Sequence, residues 1–231
     1  MNVPLYVDTV NRGAVDFHEN FMKRYHHPDL RSALMRAALA ELTEKGPRRF
    51  SLRSVAARAG VSHAAPYRHF SDKDSILAAL ILEGMRALTS TLREANREIA
   101  SSAREKLGRL GRAYVAYGRE NPQVLSLMFS GPGFSALGTA SPGTPHGAEY
   151  DAFGELESTV RECQREGSLD PKRDSGVLSL LIWSTVHGLA ILFTENVIPS
   201  MVAERGMSET AAEAEILQAL GDIFHPCPRR N

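Results

Sequence analysis

The chain has 231 residues, 43% of them hydrophobic and 23% charged, and its 27 basic residues balance 27 acidic ones. That length and composition indicate one or two domains with a real core and exclude a disordered tail protein. Two cysteines, Cys163 and Cys227, are too few and too far apart for a disulfide scaffold or a paired-cysteine metal site.

The N-terminus has no basic start followed by an apolar core, so no signal peptide is expected. The longest apolar stretch, Val177 to Phe193, is broken by Ser179, Ser184, Thr185 and His187. A membrane span needs about 20 predominantly apolar residues, so this segment reads as a buried helix in a cytoplasmic, soluble protein without membrane attachment. Charge is spread unevenly: Lys23 to Asp74 holds eleven basic and five acidic residues, together with His26, His27, His63 and His69. Such asymmetry points to a polyanion-binding module on a body with another task. Charge alone leaves open a solvated basic face with no ligand.

In chain order, residues 1–27 show no sustained period and read as an arm. Asp29 is the expected cap of a helix with Leu34, Ala37, Ala38 and Leu42 on one face, stopped at Gly46-Pro47. Ser51 caps a short second helix with Leu52, Val55 and Ala59 inward and Arg53 and Arg58 outward, ended by Gly60. Ser62 is the expected cap of a third helix. Ser71 and Asp74 form a capping pair for a longer fourth helix with the stripe Leu77, Leu80, Ile81, Met85, Leu88 and Leu92. Further helices are expected at about 104–120, from Pro122, and at about 148–166, 174–196 and 208–224, separated by a Gly/Pro/Ser-rich loop at 130–147. No period-2 strand is found, so the fold class is all-α, followed by an unstructured tail at 226–231.

Helix, glycine turn, helix is the helix-turn-helix arrangement, whose second helix enters the DNA major groove. Ala64 and Ala65 keep bulk from the groove floor, where an alanine methyl can pack on a thymine methyl. Ser62 and His63 lie where side chains reach furthest in. Tyr67 and His69 lie further back, where a hydroxyl or imidazole can donate to phosphates, and Lys73 lies in the first turn of the next helix. Packing of Tyr67 and His69 against the first helix is the other reading. Pro66, taken as the fourth residue of the third helix, would distort its first turn and push Ala65 off helical angles.

The residues Ser51-x-Arg53-x-x-Ala56, Gly60-Val61-Ser62, Tyr67-x-His69-Phe70, and Lys73 with Leu77 resemble the DNA-binding domain of TetR-family transcriptional regulators. The resemblance implies a helix-turn-helix domain over 28–75 and a helical effector-binding and dimerisation domain over 76–225. It implies phosphate contacts from Ser51, Tyr67, His69 and Lys73, with Arg53, His63 and Ala64 near the bases and Phe70 in the core.

In the body, Trp183-x-x-x-His187-Gly188 with Asn121-Pro122 and Leu127-Met128-Phe129 resembles the subgroup whose C-terminal domain carries a Trp-His-Gly signature. Tyr114, Tyr117, Phe129, Trp183 and His187 are then candidates for the lining of an effector pocket, with the loop at 130–147 as its gate. Plain core positions are the alternative for Trp183 and His187. By the same resemblance the last two long helices pair with a second copy, so the expectation is a homodimeric repressor on a palindromic DNA operator, released by a small-molecule effector. An activator, or an interaction protein that has lost regulated DNA binding, is the alternative. No nucleophile motif surrounds Cys163, and no phosphate-binding loop, metal-protease motif or paired carboxylates appear, so neither an enzyme nor a cofactor or metal site is expected.

Overall fold

The computed structural model describes residues 30–129 and 150–223. The expected arm, Asp29 cap, gating loop and tail lie outside the described residues. Every regular element among the described residues is helical, in line with the all-α expectation. They fall into two compact units: residues 30–87 with 120–129 and Tyr150, and residues 88–119 with 151–223.

The first unit begins with α1 (Leu30–Arg49), interrupted at Gly46, whose φ of +67° suits a residue without Cβ. Leu34, Ala37, Ala38 and Leu42 are all buried. In α2 (Leu52–Arg58), which packs on α1, Leu52, Val55 and Ala56 are buried, so Ala56 takes the inward place expected of Ala59. Ala59 is instead the C-cap. After it the amide of Val61 donates to the carbonyl of Ala56 (3.0 Å) and that of Gly60 to Ala57 (3.2 Å), a Schellman ending with Gly60 at φ +70°.

The expected third helix is shorter than its sequence suggested. Only Pro66–Arg68 is helical, as a single 3₁₀ turn, and Pro66 is its first residue rather than its fourth. Ala65 keeps helical angles (φ −61°, ψ −42°), contrary to expectation. The missing proline N–H explains the break. A first turn closes from the Ala65 amide to the Ser62 carbonyl (3.0 Å), and a second starts from the Pro66 carbonyl, which accepts from His69 (3.0 Å) and Phe70 (2.9 Å).

Helix α3 (Lys73–Arg97) is capped one residue later than expected. The amide of Ser75 donates to Asp72 Oδ1 (2.8 Å) and the amide of Asp72 to Ser75 Oγ (3.3 Å), so Asp72 and Ser75, not Ser71 and Asp74, form the reciprocal pair. The Ser75 amide is the main reason the Asp72 carboxyl is held below its ordinary range. Ile76, Leu80 and Ile81 are buried, while Leu77 is half-buried. At Gly84 a Cβ would stand 2.5 Å from Val124 and 2.9 Å from Met128, so α5 (Pro122–Phe129) can lie against α3 only because that residue is glycine.

The second unit holds the rest of α3, α4 (Ala103–Glu120, Glu120 itself belonging to the first unit), α6 (Ala152–Arg165), α7 (Ser175–Thr194), α8 (Val197–Ala203) and α9 (Glu209–Ile223). Ion pairs tie it together: Arg93 to Glu155 (2.6 Å), Lys106 to Glu162 (2.9 Å), and Arg119 to Glu209 (2.7 Å) and Glu213 (2.9 Å). Asp174 caps α7 by accepting from the Val177 amide (2.9 Å). Asn196, at φ +59°, ends that segment and starts α8, which was not expected from the sequence. Pro199 is compatible with a helix there because it falls in the first turn.

Both α3 and α7 are long and apolar enough to pass for membrane spans by length and composition. Helix α7 has no charged residue, yet Val177, Leu180, Leu181, Ser184, Thr185 and Leu192 are exposed on it. These recur at three- and four-residue spacing, so they share one face. A Cβ added at Gly188 would meet nothing.

Candidate functional site

The first unit presents its candidate DNA-facing residues as a surface. Arg53, Ser62, His63, Ala64, Arg68 and His69 are exposed, Tyr67 is 55% exposed, and Ser51 and Lys73 are half-buried. Tyr67 and His69 therefore lie outside the core. Beneath them Pro66 and Phe70 are buried, so the 3₁₀ turn is anchored by two side chains and offers the rest outward. Phe70 carries the Arg31 guanidinium 5.2 Å above its ring centroid, and Phe50 carries the Lys73 ammonium at 6.0 Å. Ser51 is fixed by a full capping box with Ser54: each amide donates to the other's hydroxyl, at 3.1 Å and 3.3 Å.

Under this surface lies a residue that sequence reasoning did not single out. Glu41 is 1% exposed, yet it is charged. Its carboxylate accepts from Lys45 Nζ (2.5 Å) and from Arg58 Nε (3.0 Å). The Arg58 guanidinium also grips both oxygens of Glu44, so this arginine, exposed as expected, reaches back along the surface onto α1. Burial would raise the Glu41 pKa, but hydrogen bonds from Lys45, Ser54 and Arg58 outweigh it and hold the carboxyl below its ordinary range. The available signal was position: Glu41 falls on the same helical stripe as Leu34, Ala38 and Leu42.

The second unit brings three of the candidate effector residues together. Trp183 Nε1 donates to the Tyr114 hydroxyl (3.2 Å), which lies 2.8 Å from His187 Nδ1. Indole nitrogen only donates, so the tyrosine oxygen accepts there, while the imidazole tautomer decides which group donates between Tyr114 and His187. Phe153 meets Trp183 edge-on, with ring centroids 6.3 Å apart; it too was missed in the sequence. Tyr114 is 5% exposed, and burial pushes its phenol up against the opposing effect of the Trp183 bond. Burial pushes His187 down, favouring the neutral ring. Tyr117 is buried three residues along α4, and Phe129 closes α5 in the first unit. Cys163 is fully buried, and that burial raises its thiol, the direction opposite to nucleophile activation.

Residues 34–80 match the family described as "Bacterial regulatory proteins, tetR family", and residues 107–210 match the "Tetracyclin repressor-like, C-terminal domain". The HTH-type transcriptional repressor Rv3405c of Mycobacterium tuberculosis is 34% identical over 83 residues, 36% of this chain and 44% of that protein. The chain thus spans less than half the length of the curated relatives it matches. A Rhodococcus sp. RHA1 protein of unknown function superposes with a TM-score of 0.66 at 32% identity, covering 87% of this chain and 95% of that one. PfmR, a TetR family transcriptional regulator from Thermus thermophilus, superposes with a TM-score of 0.59 at 20% identity, covering 89% and 100%; that likeness is one of fold.

Proposed function

We propose that this chain, which belongs to the tetR family of bacterial regulatory proteins, is a DNA-binding transcriptional regulator acting in the cytoplasm. The observation that carries the reading is the surface after the Gly60 turn. His63, Ala64, Tyr67 and His69 are all turned outward from a buried Pro66–Phe70 anchor, beside Arg53. Small residues there admit a duplex, and the polar rings and cations around them suit base edges and phosphates. The mycobacterial relative is a transcriptional repressor, which favours repression over activation.

The protein works as a homodimer on a palindromic operator. Support comes from the uncharged, exposed face of α7 around Leu180, Leu181 and Gly188, which fits burial against a second copy better than exposure to water. Trp183, His187 and Gly188 fit the Trp-His-Gly subgroup. The effector site lies in the second unit at Tyr114, Trp183 and His187, where rings supply apolar contact and a polar chain supplies direction. An effector that binds better to the form with unsuitable half-site spacing releases the DNA.

Fluorescence anisotropy on the duplex upstream of the chain's own gene, against a scrambled duplex and at two salt concentrations, tests the reading. Preference for the native duplex, with affinity falling steeply with salt, is expected. Equal, weak binding to this duplex, to the scrambled one and to every fragment of a genomic pool would rule it out.

A further inference from the structure

Arg53 stands on a short helix packed against α1, so its aim depends on what sets the rotation of that helix. Leu52, Val55 and Ala56 bury the inner face of α2 against α1, and apolar burial is non-directional. Glu41 is directional where these are not. Its carboxylate accepts from Arg58 Nε at 3.0 Å, so one buried charge on α1 fixes the last turn of α2. Glu44 completes the grip by taking both terminal nitrogens of Arg58. Arg53 is five residues from Arg58, about 140° around the helix, so pinning Arg58 against α1 turns Arg53 away from it and outward.

We infer that Glu41 is a positioning residue of the DNA-reading module: through Arg58 it fixes the rotation of α2 and so aims Arg53 at the duplex. This rests on the DNA-binding reading above. Glu41 does not touch DNA; it acts through α2. Apolar packing alone would favour leucine or methionine at such a site, since a buried ion pair adds little net stability over a hydrophobic replacement.

The test is a double-substitution cycle on the full chain, with a duplex that the wild type selects from a random-sequence pool as probe and a scrambled duplex as control. Glu41→Gln keeps the shape of the side chain and removes its charge. Expected is a loss of about tenfold on the selected duplex, with little change on the scrambled one, measured well below the unfolding midpoint. In an Arg53→Ala background the same substitution should cost nothing further, because the residue it aims is gone. Losses that multiply, an equal loss on both duplexes, or no loss would each overturn the inference. If Glu41→Gln does not fold, Arg58→Met opens the grip from the other side and leaves Glu41 paired with Lys45, and the same cycle with Arg53→Ala decides. A pool from which the wild type recovers no preferred duplex overturns the DNA reading itself, and this inference with it.

Discussion

The two units use polar side chains in opposite ways. In the first, the candidate contact residues Arg53, His63, Tyr67 and His69 stand on the surface, and the buried charge of Glu41 serves to hold the helix beneath them. In the second, Tyr114, Trp183 and His187 turn inward and bond to one another. A duplex brings its own shape and charge, so its reader needs only a stiff surface. A small effector has to be surrounded, so its candidate site is built inside a helical layer, where each polar group must already have a partner. Substitutions in the second unit should therefore change assembly and release, while those in the first change DNA affinity.

The largest effect is expected on the face of α7. Leu181→Glu places a charge where a second copy is proposed to pack, and should weaken the dimer by about 100-fold or more, read by sedimentation. A monomeric wild type, or a variant that still dimerises, breaks the comparison at its assembly end. Tyr114→Phe deletes the hydroxyl between His187 and Trp183. It should cost about 1–3 kcal/mol of thermal stability by leaving buried polar atoms without that partner, with DNA affinity little changed in the folded protein. In the first unit Gly60→Val forces a branched side chain onto a φ of +70°, and a loss of about 1–2 kcal/mol is expected, together with weaker DNA binding.

The smallest effect is one of pH. His187 has its pKa pushed down by burial, so the folded protein binds fewer protons than the unfolded chain once the pH drops below the ordinary value of 6.5. The stability this contributes is complete above that value and drains away as the pH falls below it toward the folded value. Thermal midpoints should therefore fall between about pH 7.5 and 5.5, and His187→Asn should flatten that dependence. The carboxyls of Glu41 and Glu44, also depressed, contribute only in a lower window. Their stabilisation is present above the ordinary 4.5 and is lost as the pH falls through their folded values.

The first unit was more legible in the sequence because its signals are local. A serine cap and a glycine at left-handed angles each follow from residues within four positions of one another. Errors arose where several residues compete for one role. Ser71, Asp72, Asp74 and Ser75 can all cap a helix, and the geometry chose Asp72 with Ser75. Periodicity alone makes Pro66 a defect inside a helix, whereas it begins a turn, where its missing N–H costs nothing.

Glu41 went unnoticed because its meaning depends on Arg58, 17 residues away. The same holds in the second unit with greater separation. Tyr114 and His187 are 73 residues apart, so helical spacing could set Trp183 and His187 on one face but could not show that tyrosine between them. Helix α8 was missed because Asn196 looks like an ending, and in the structure it is both an ending and a beginning.

The proposal that a symmetric pair of these chains reads DNA through the surface after Gly60 is tested most directly by hydroxyl-radical footprinting of the wild type on a duplex it selects. Two protected patches related by two-fold symmetry, with centres about 10 base pairs or a small multiple of a helical turn apart, are the expected result. Both should be lost together in Leu181→Glu at protein concentrations where that variant is monomeric. A single asymmetric patch, or protection that survives in the monomer unchanged, would contradict it.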